Sequence, residues 1–196
     1  MPMKQKGKSL KKILDLLLKK DKFDIWYLDE ASFKQYGSSC RMWISSIIKN
    51  PILLHNPTSK KVGYFGAVRS DGKFVFSQEE GKFNGETFFS FLKRLADISL
   101  SRGRKIIVIL DNAKYHHAKL HKDWRKEMES KGFFLKFLPP YSPDLNPIER
   151  VWKLIRRLRL HNRFFKAISE VINSVESLCK KWVQPNQTLK QLCAFT

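Results

Sequence analysis

The chain has 196 residues, 42% of them hydrophobic, and sets 38 Lys and Arg against 18 Asp and Glu for a formal charge of +20. That length suits one domain with a substantial core and short appendages, and a charge beyond what solubility requires points to a polyanionic partner. A membrane partner is not expected, since no apolar run approaches the ~20 residues that cross a bilayer and no signal peptide is evident; Cys40, Cys179 and Cys193 are odd in number and widely spaced, which argues against a disulfide framework or a zinc site and for a reducing cytoplasm.

Residues 1 to 8 are basic without apolar periodicity and read as an arm. Leu10, Ile13, Leu14 and Leu17 then predict a short amphipathic helix, flanked by Lys11, Lys12, Lys19 and Lys20, that packs on the core or touches DNA. Phe23 to Leu28 reads as a strand that delivers Asp29 and Glu30 at its end. Arg41 to Ile48 is a second expected strand, Val62 to Arg69 a third, and Phe74 to Ser77 closes a hairpin across Ser70-Asp71-Gly72-Lys73. Asn84 offers an N-cap to a helix carrying Phe88, Phe91, Leu92, Leu95 and Ile98 that stops near Gly103.

Ile106 to Leu110 is a continuous β-branched and apolar run, as in a strand buried on both faces, and it ends in Asp111. A helix from about His116 to Ser130 closes at Gly132, and Phe133 to Leu138 gives the next strand. A proline-stiffened loop follows, with Asn146 as N-cap and Pro147 as first helical residue, so that Ile148, Val151, Trp152, Ile155 and Leu158 share an apolar face with Glu149 beside it in the first turn. Glu149 could simply close a capping box with Asn146. A last helix, Phe164 to Trp182, carries Ile168, Val171, Ile172, Val175, Leu178 and Trp182, and Gln184 to Thr196 is a polar tail. Trp26, Trp43, Trp152 and Trp182 are expected in the core. Hairpins first and crossovers afterwards predict an α/β fold: a mixed sheet with antiparallel strands, then alternating helix and strand, covered by helices on both faces. The expected division is 1–24 for arm and short helix, 25–160 for the main domain and 161–196 for a helix and tail packed on it.

Asp29, Asp111 and Glu149 stand after the first strand, after the central strand and in the first turn of a late helix. Strand ends on one edge converge with their flanking helices, so three carboxylates distant in sequence can share a site. Each Asp alone could be a turn former; together, three close carboxylates repel unless protonated or bridged by cations. Magnesium suits oxygen ligands completed by phosphate, and two such ions about 4 Å apart serve phosphodiester chemistry. His117 and His121 form an i, i+4 pair, but no HExxH frame surrounds it, which favours surface or phosphate contact over zinc.

The segment Pro139-Pro140-Tyr141-Ser142-Pro143-Asp144-Leu145-Asn146-Pro147-Ile148-Glu149-Arg150-Val151-Trp152 resembles the part of the DDE transposases of the mariner superfamily, in the bacterial and archaeal insertion-sequence branch, that bears the third catalytic acid. Leu110 to His116 resembles the second motif, Tyr27 to Phe33 the first, and Glu86 to Leu92 the helix between them. The resemblance runs from about Trp26 to Phe165. It implies an RNase H-like fold and metal-dependent cleavage at terminal inverted repeats, followed by attack of the freed 3′-hydroxyl on target DNA. By the same resemblance Asp29 would ligate both of two Mg2+ ions, for which Mn2+ substitutes, with Asp111 and Glu149 each completing one and Asn112 and His116 in support.

The expected partners are the terminal repeats and target DNA, a second copy of the chain in the active complex, and a helix-turn-helix segment fused to the chain or supplied separately. The chain departs from the family in its 37 residues between Asp111 and Glu149, in Ile44-Ser45-Ser46-Ile47 where a small residue and a Gly are usual, and in having only about 24 residues before the first strand. That short start suggests a catalytic half joined to its partner by frameshifting, or a decayed copy. Two other readings use the same residues: a ribonuclease H or resolvase-type nuclease, and a basic DNA-binding protein whose acidic triad is inactive.

Overall fold

A computed structural model describes residues 22–41, 43–48, 54, 56–118, 122–140 and 145–194. The helix expected at 10–20, His121 and loop residues 141–144 lie outside the described residues. Five strands, β1 (Phe23–Lys34), β2 (Lys61–Arg69), β3 (Phe74–Glu79), β4 (Lys105–Leu110) and β5 (Phe133–Phe137), form one sheet in the order β3-β2-β1-β4-β5. β1, β2 and β3 are antiparallel neighbours, whereas β4 and β5 join in parallel. This is the mixed α/β sheet expected, since hairpin connections give antiparallel pairs and helical crossovers give parallel ones.

The period-two alternation of the strands sorts the core into two layers. On one face Trp26, Leu28, Phe65, Val108 and Leu110 pack against α1 (Gly85–Leu100) through Phe88, Phe91, Leu92 and Leu95, and against Met128 of α2 (Lys122–Ser130). On the other, Ile25, Tyr27, Phe33, Tyr64 and Ile109 meet α3 (Ile148–Ile155), α4 (Ile168–Cys179) and α5 (Gln187–Cys193). Asn84 caps α1 as expected: its Oδ1 accepts the amides of Glu86 and Thr87 at 2.9 and 3.0 Å, and Thr87 returns the bond. The β2–β3 turn needs Gly72, whose φ is +91° and whose missing Cβ leaves room for the Asn186 carbonyl ahead of α5. No helix among the described residues is long and apolar enough to cross a membrane.

Several expectations are corrected. β1 does not end at Leu28 but runs on to Lys34, paired with β2 down to Lys34↔Lys61. The strand expected at Arg41–Ile48 is irregular chain in its described residues, and Trp43 is fully exposed rather than buried, because β1 already pairs directly with β2. The helix expected from His116 is instead a 3-10 turn, Lys114–His117, and α2 begins only at Lys122. After α3 the chain widens into a π turn, Arg156–Leu160, which leaves Leu158 exposed and buries Leu160. α4 starts at Ile168, four residues later than expected, and the tail folds its own helix, α5, whose Leu189 and Cys193 are buried.

Candidate active site

The site forms where β1 forks. β4 accompanies β1 in parallel only from Phe23↔Lys105 to Tyr27↔Ile109, then ends at Leu110. Two residues further along that register, Asp29 falls beside Asp111. Asp29 also shares the sheet face of Ile25, Tyr27, Ala31 and Phe33, the face that α3 covers. Burial pushes the Asp29 carboxyl up to about 7, with further upward pushes from the charges of Glu30, Asp111 and Glu149 against the opposing pull of the Glu30 amide. Asp29 thus sits in the combined field of the other two carboxylates of the expected triad, which come from β4's end and α3's first turn.

Asp111 is held from behind. Its Oδ1 accepts the Ala113 amide at 3.1 Å and lies 3.0 Å from Nδ1 of His116, whose Nε2 lies 2.9 Å from Oε1 of Glu30. Burial of this fully enclosed imidazole opposes its charge, but Asp111 and Glu30 together prevail and raise it to about 9, so at neutral pH it is an imidazolium donating to both carboxylates. The same interaction holds the Asp111 carboxyl below its ordinary range although its side chain is 54% exposed. Phe88 and Tyr115 wedge the ring, with centroids 4.3 and 4.5 Å away. Asn112 points elsewhere: its Oδ1 meets Nε2 of His117 at 2.6 Å in an exposed pair.

Glu149 enters on α3, and that helix is located by Asn146 in an unexpected way. The Asn146 side chain makes no cap, so the capping box with Glu149 is absent; its Nδ2 instead donates to the Leu28 carbonyl at 3.0 Å. Ser70 donates to the Ile25 carbonyl, so by alternation Leu28 turns its backbone groups toward β4, just past the last β1–β4 pair. Asn146 supplies the partner that β4 no longer provides, and the start of α3 is thereby fixed one residue from Asp29. One turn on, Trp152 lies over Gly66, the residue paired with Asp29 across β1 and β2. Arg156, half-buried with its guanidinium 5.2 Å from the Phe33 ring centroid, is lowered by burial while the Asp29 charge opposes that shift.

Sequence reasoning did not single out Glu30, Arg156 or the Asn146 pin. Glu30 and His116 are 86 residues apart, and their meeting depends on the even residues of β1 facing the His116 turn. The donor set of Asp29, Asp111 and Glu149 is all carboxylate oxygen, the chemistry a hard divalent cation prefers. Asp29, raised first by burial and then by the charges of its acidic neighbours, is a carboxyl whose ionised form a cation would favour, so these residues fit such an ion, although among the described residues no three His, Cys, Asp or Glu side chains already form a cage.

A five-stranded mixed sheet of this order, with carboxylates gathered at the fork of its first and fourth strands, is the RNase H-like fold. The catalytic domain of Mos1 mariner transposase superposes with a TM-score of 0.59 at 16% identity, covering 97% of this chain and 86% of that one. The Mos1 mariner paired-end complex with Mn gives 0.67 at 17% identity, over 95% of this chain and 57% of the other. The sequence pattern of the DDE superfamily endonucleases matches residues 24–172, and the chain belongs to that family. A curated relative, the uncharacterized protein y4pE/y4sA of Sinorhizobium fredii (strain NBRC 101917 / NGR234), is 35% identical over 92 residues, which are 46% of this chain and 62% of that protein.

Proposed function

We propose that the chain is the catalytic domain of a DNA transposase that cleaves phosphodiesters at element ends and transfers the freed strand into target DNA, with Asp29, Asp111 and Glu149 as its catalytic carboxylates. The observation that carries this reading is the shared field at the fork of β1, where Asp29 feels both Asp111 and Glu149 inside a chain of charge +20. The three carboxylates would hold two magnesium ions, or manganese in their place, which would activate a water or 3′-hydroxyl and stabilise the leaving oxygen. The imidazolium of His116, anchored on Glu30, keeps the Asp111 carboxylate ionised and aimed. Arg156 stands near enough to Asp29 to meet a backbone phosphate. Asn146 fixes the helix that presents Glu149.

The proposed partners are terminal-repeat and target DNA, a second copy of this chain in the active complex, and a helix-turn-helix segment that reads the repeat; the proposed setting is the cytoplasm. The test is Asp111→Asn, nearly the same size and without the charge. Loss of several kcal/mol of transition-state stabilisation lowers cleavage in magnesium by at least about a thousandfold, with DNA affinity unchanged or raised and the melting temperature retained. Cleavage at the wild-type rate would refute the assignment. Cleavage without strand transfer would indicate a nuclease on the same fold, and binding in EDTA with no cleavage in either metal would indicate a DNA-binding protein only.

A further inference from the structure

At the N-terminal end of β1, away from Asp29, the sheet opens onto a cleft of about 660 Å³ between the N-terminal ends of β1 and β4, the β2–β3 turn and α5. Its charged lining residues are Arg69, Arg102, Arg104, Lys190, Asp24 and Asp71. Buried Arg69 is fully engaged, giving Nε and Nη2 to Asp71 at 2.9 and 2.5 Å and Nη1 to Asp24 at 3.2 Å. Asp24 also meets Arg104 at 2.8 Å and Arg102 at 3.5 Å, so one carboxylate serves three guanidinium groups. Four cations face two carboxylates in the described lining, leaving two positive charges that the cleft itself does not neutralise. The more exposed cations lie at the rim: the Arg102 side chain is 40% exposed and Lys190 is exposed on α5, while Arg104, 26% exposed, also donates Nη2 to the Phe23 carbonyl at 3.1 Å.

We infer that this cleft is a second phosphate-binding surface, taking the backbone of a DNA duplex at a place distinct from the scissile phosphodiester. Five residues of β1 separate Asp24 from Asp29, about 17 Å at ~3.3 Å per residue, so one phosphate cannot serve both sites. Rim cations spread around an open cleft suit consecutive phosphates of a strand better than one small anion, which would need converging buried donors. The choice of DNA among polyanions rests on the proposed function.

The test is the salt dependence of duplex binding by the full chain, read by fluorescence anisotropy in EDTA so that cleavage plays no part. Arg102→Gln combined with Lys190→Gln should reduce the slope of log affinity against log salt by about 1.8, or ~0.9 for each phosphate no longer neutralised, between ~50 and ~200 mM salt. An equal charge change at exposed Lys122 and Lys126 of α2 should alter it by less than half as much. Equal effects of the two double variants would make the loss a matter of overall charge and overturn the inference. An unchanged slope would overturn it too, as would a melting temperature raised by millimolar pyrophosphate in the wild type but not the cleft variant with duplex binding unaffected, which marks a small-anion site. Wild-type cleavage measured alongside separates the two readings, since a cleft effect without cleavage faults only the proposed reaction.

Discussion

A histidine enclosed on all sides and touching two carboxylates is the most constrained residue of the site. Its ring cannot leave without exposing Glu30 and Asp111 to one another's charge, nor can it lose its proton cheaply while both accept from it. His116→Ala removes this anchor from Asp111 and leaves the Phe88 side of the pocket unfilled. Groups that orient a ligating side chain from behind are typically worth 10- to 100-fold in activity, so we expect cleavage by His116→Ala to fall by about that factor. Glu30→Gln, which keeps an acceptor for the ring and nearly the same volume, should retain more activity than Glu30→Ala; melting temperatures taken beside the cleavage time courses check the positioning role, because loss of packing alone would lower activity only in step with stability. At this scale the sequence was informative for Asp111, just past the end of β4, and for Glu149, in the first turn of α3, but it put Asp29 at a strand end where β1 runs on, and it was uninformative for Glu30 and Asn146. Both of those act across more than 80 residues of chain, and Asn146 also looked like an ordinary cap because an Asn before a Pro in the sequence is a usual cap signal, whereas the N-cap position is that of Pro147.

Among the elements, α3 is seated by a close approach to the sheet. A Cβ on Gly66 would lie 2.5 Å from the Trp152 ring, and that ring is almost wholly buried between Phe33 and Phe74. Gly66→Ala therefore has to displace a packed indole or bend β2, and overpacking of this kind costs about 1–3 kcal/mol. Urea denaturation should show that loss, and cleavage should fall further than the stability change accounts for, since Trp152 and Glu149 ride on the same helix one turn apart. Long periodic elements such as α1, β4 and α3 were legible because their apolar pattern coincides with their burial. Arg41–Ile48 was not, since its pattern resembles a strand while the sheet position it would fill is taken by β2; the His116 turn was not, since a ring drawn into the Glu30 pocket breaks the helix before it can start.

Across the whole molecule the mixed sheet with helices on both faces follows from the succession of hairpins and crossovers, which is why the fold class could be read in advance. The length of β1 past its fork and the packing of α5 could not, because both depend on partners far along the chain. α5 closes the far end of the sheet: Cys193 Sγ meets the Arg69 carbonyl at 3.6 Å, and Arg150 from α3 donates to the carbonyls of Leu192 and Ala194 at 3.0 and 2.9 Å. Beneath it, burial alone would raise the Asp71 carboxyl, but bonds from the Arg69 guanidinium and the Lys73 amide hold it below its ordinary value. A depressed folded value stabilises the protein above the unfolded carboxylate value of about 3.9, and that contribution is lost as pH falls through the folded value. Thermal melts between neutral and strongly acidic pH should therefore fall less steeply for Asp71→Asn than for the wild type, with the Asn variant the less stable at neutral pH; parallel curves would show that the hairpin charge contributes nothing.

The meeting of Gly66 with Trp152 also bears on inheritance. Position 66 lies opposite Asp29 across the strand pair, and the room it leaves is what lets the helix bearing Glu149 come down onto β1 and β2. Descendants of a common ancestor could enlarge residue 66 only in lineages that had first shortened residue 152, so among homologous sequences the two positions should change together, with glycine accompanying the large aromatic and a side chain at 66 accompanying a smaller residue at 152. Frequent pairing of a bulky residue 66 with tryptophan at 152 in catalytically active relatives would contradict this account of how the helix is seated.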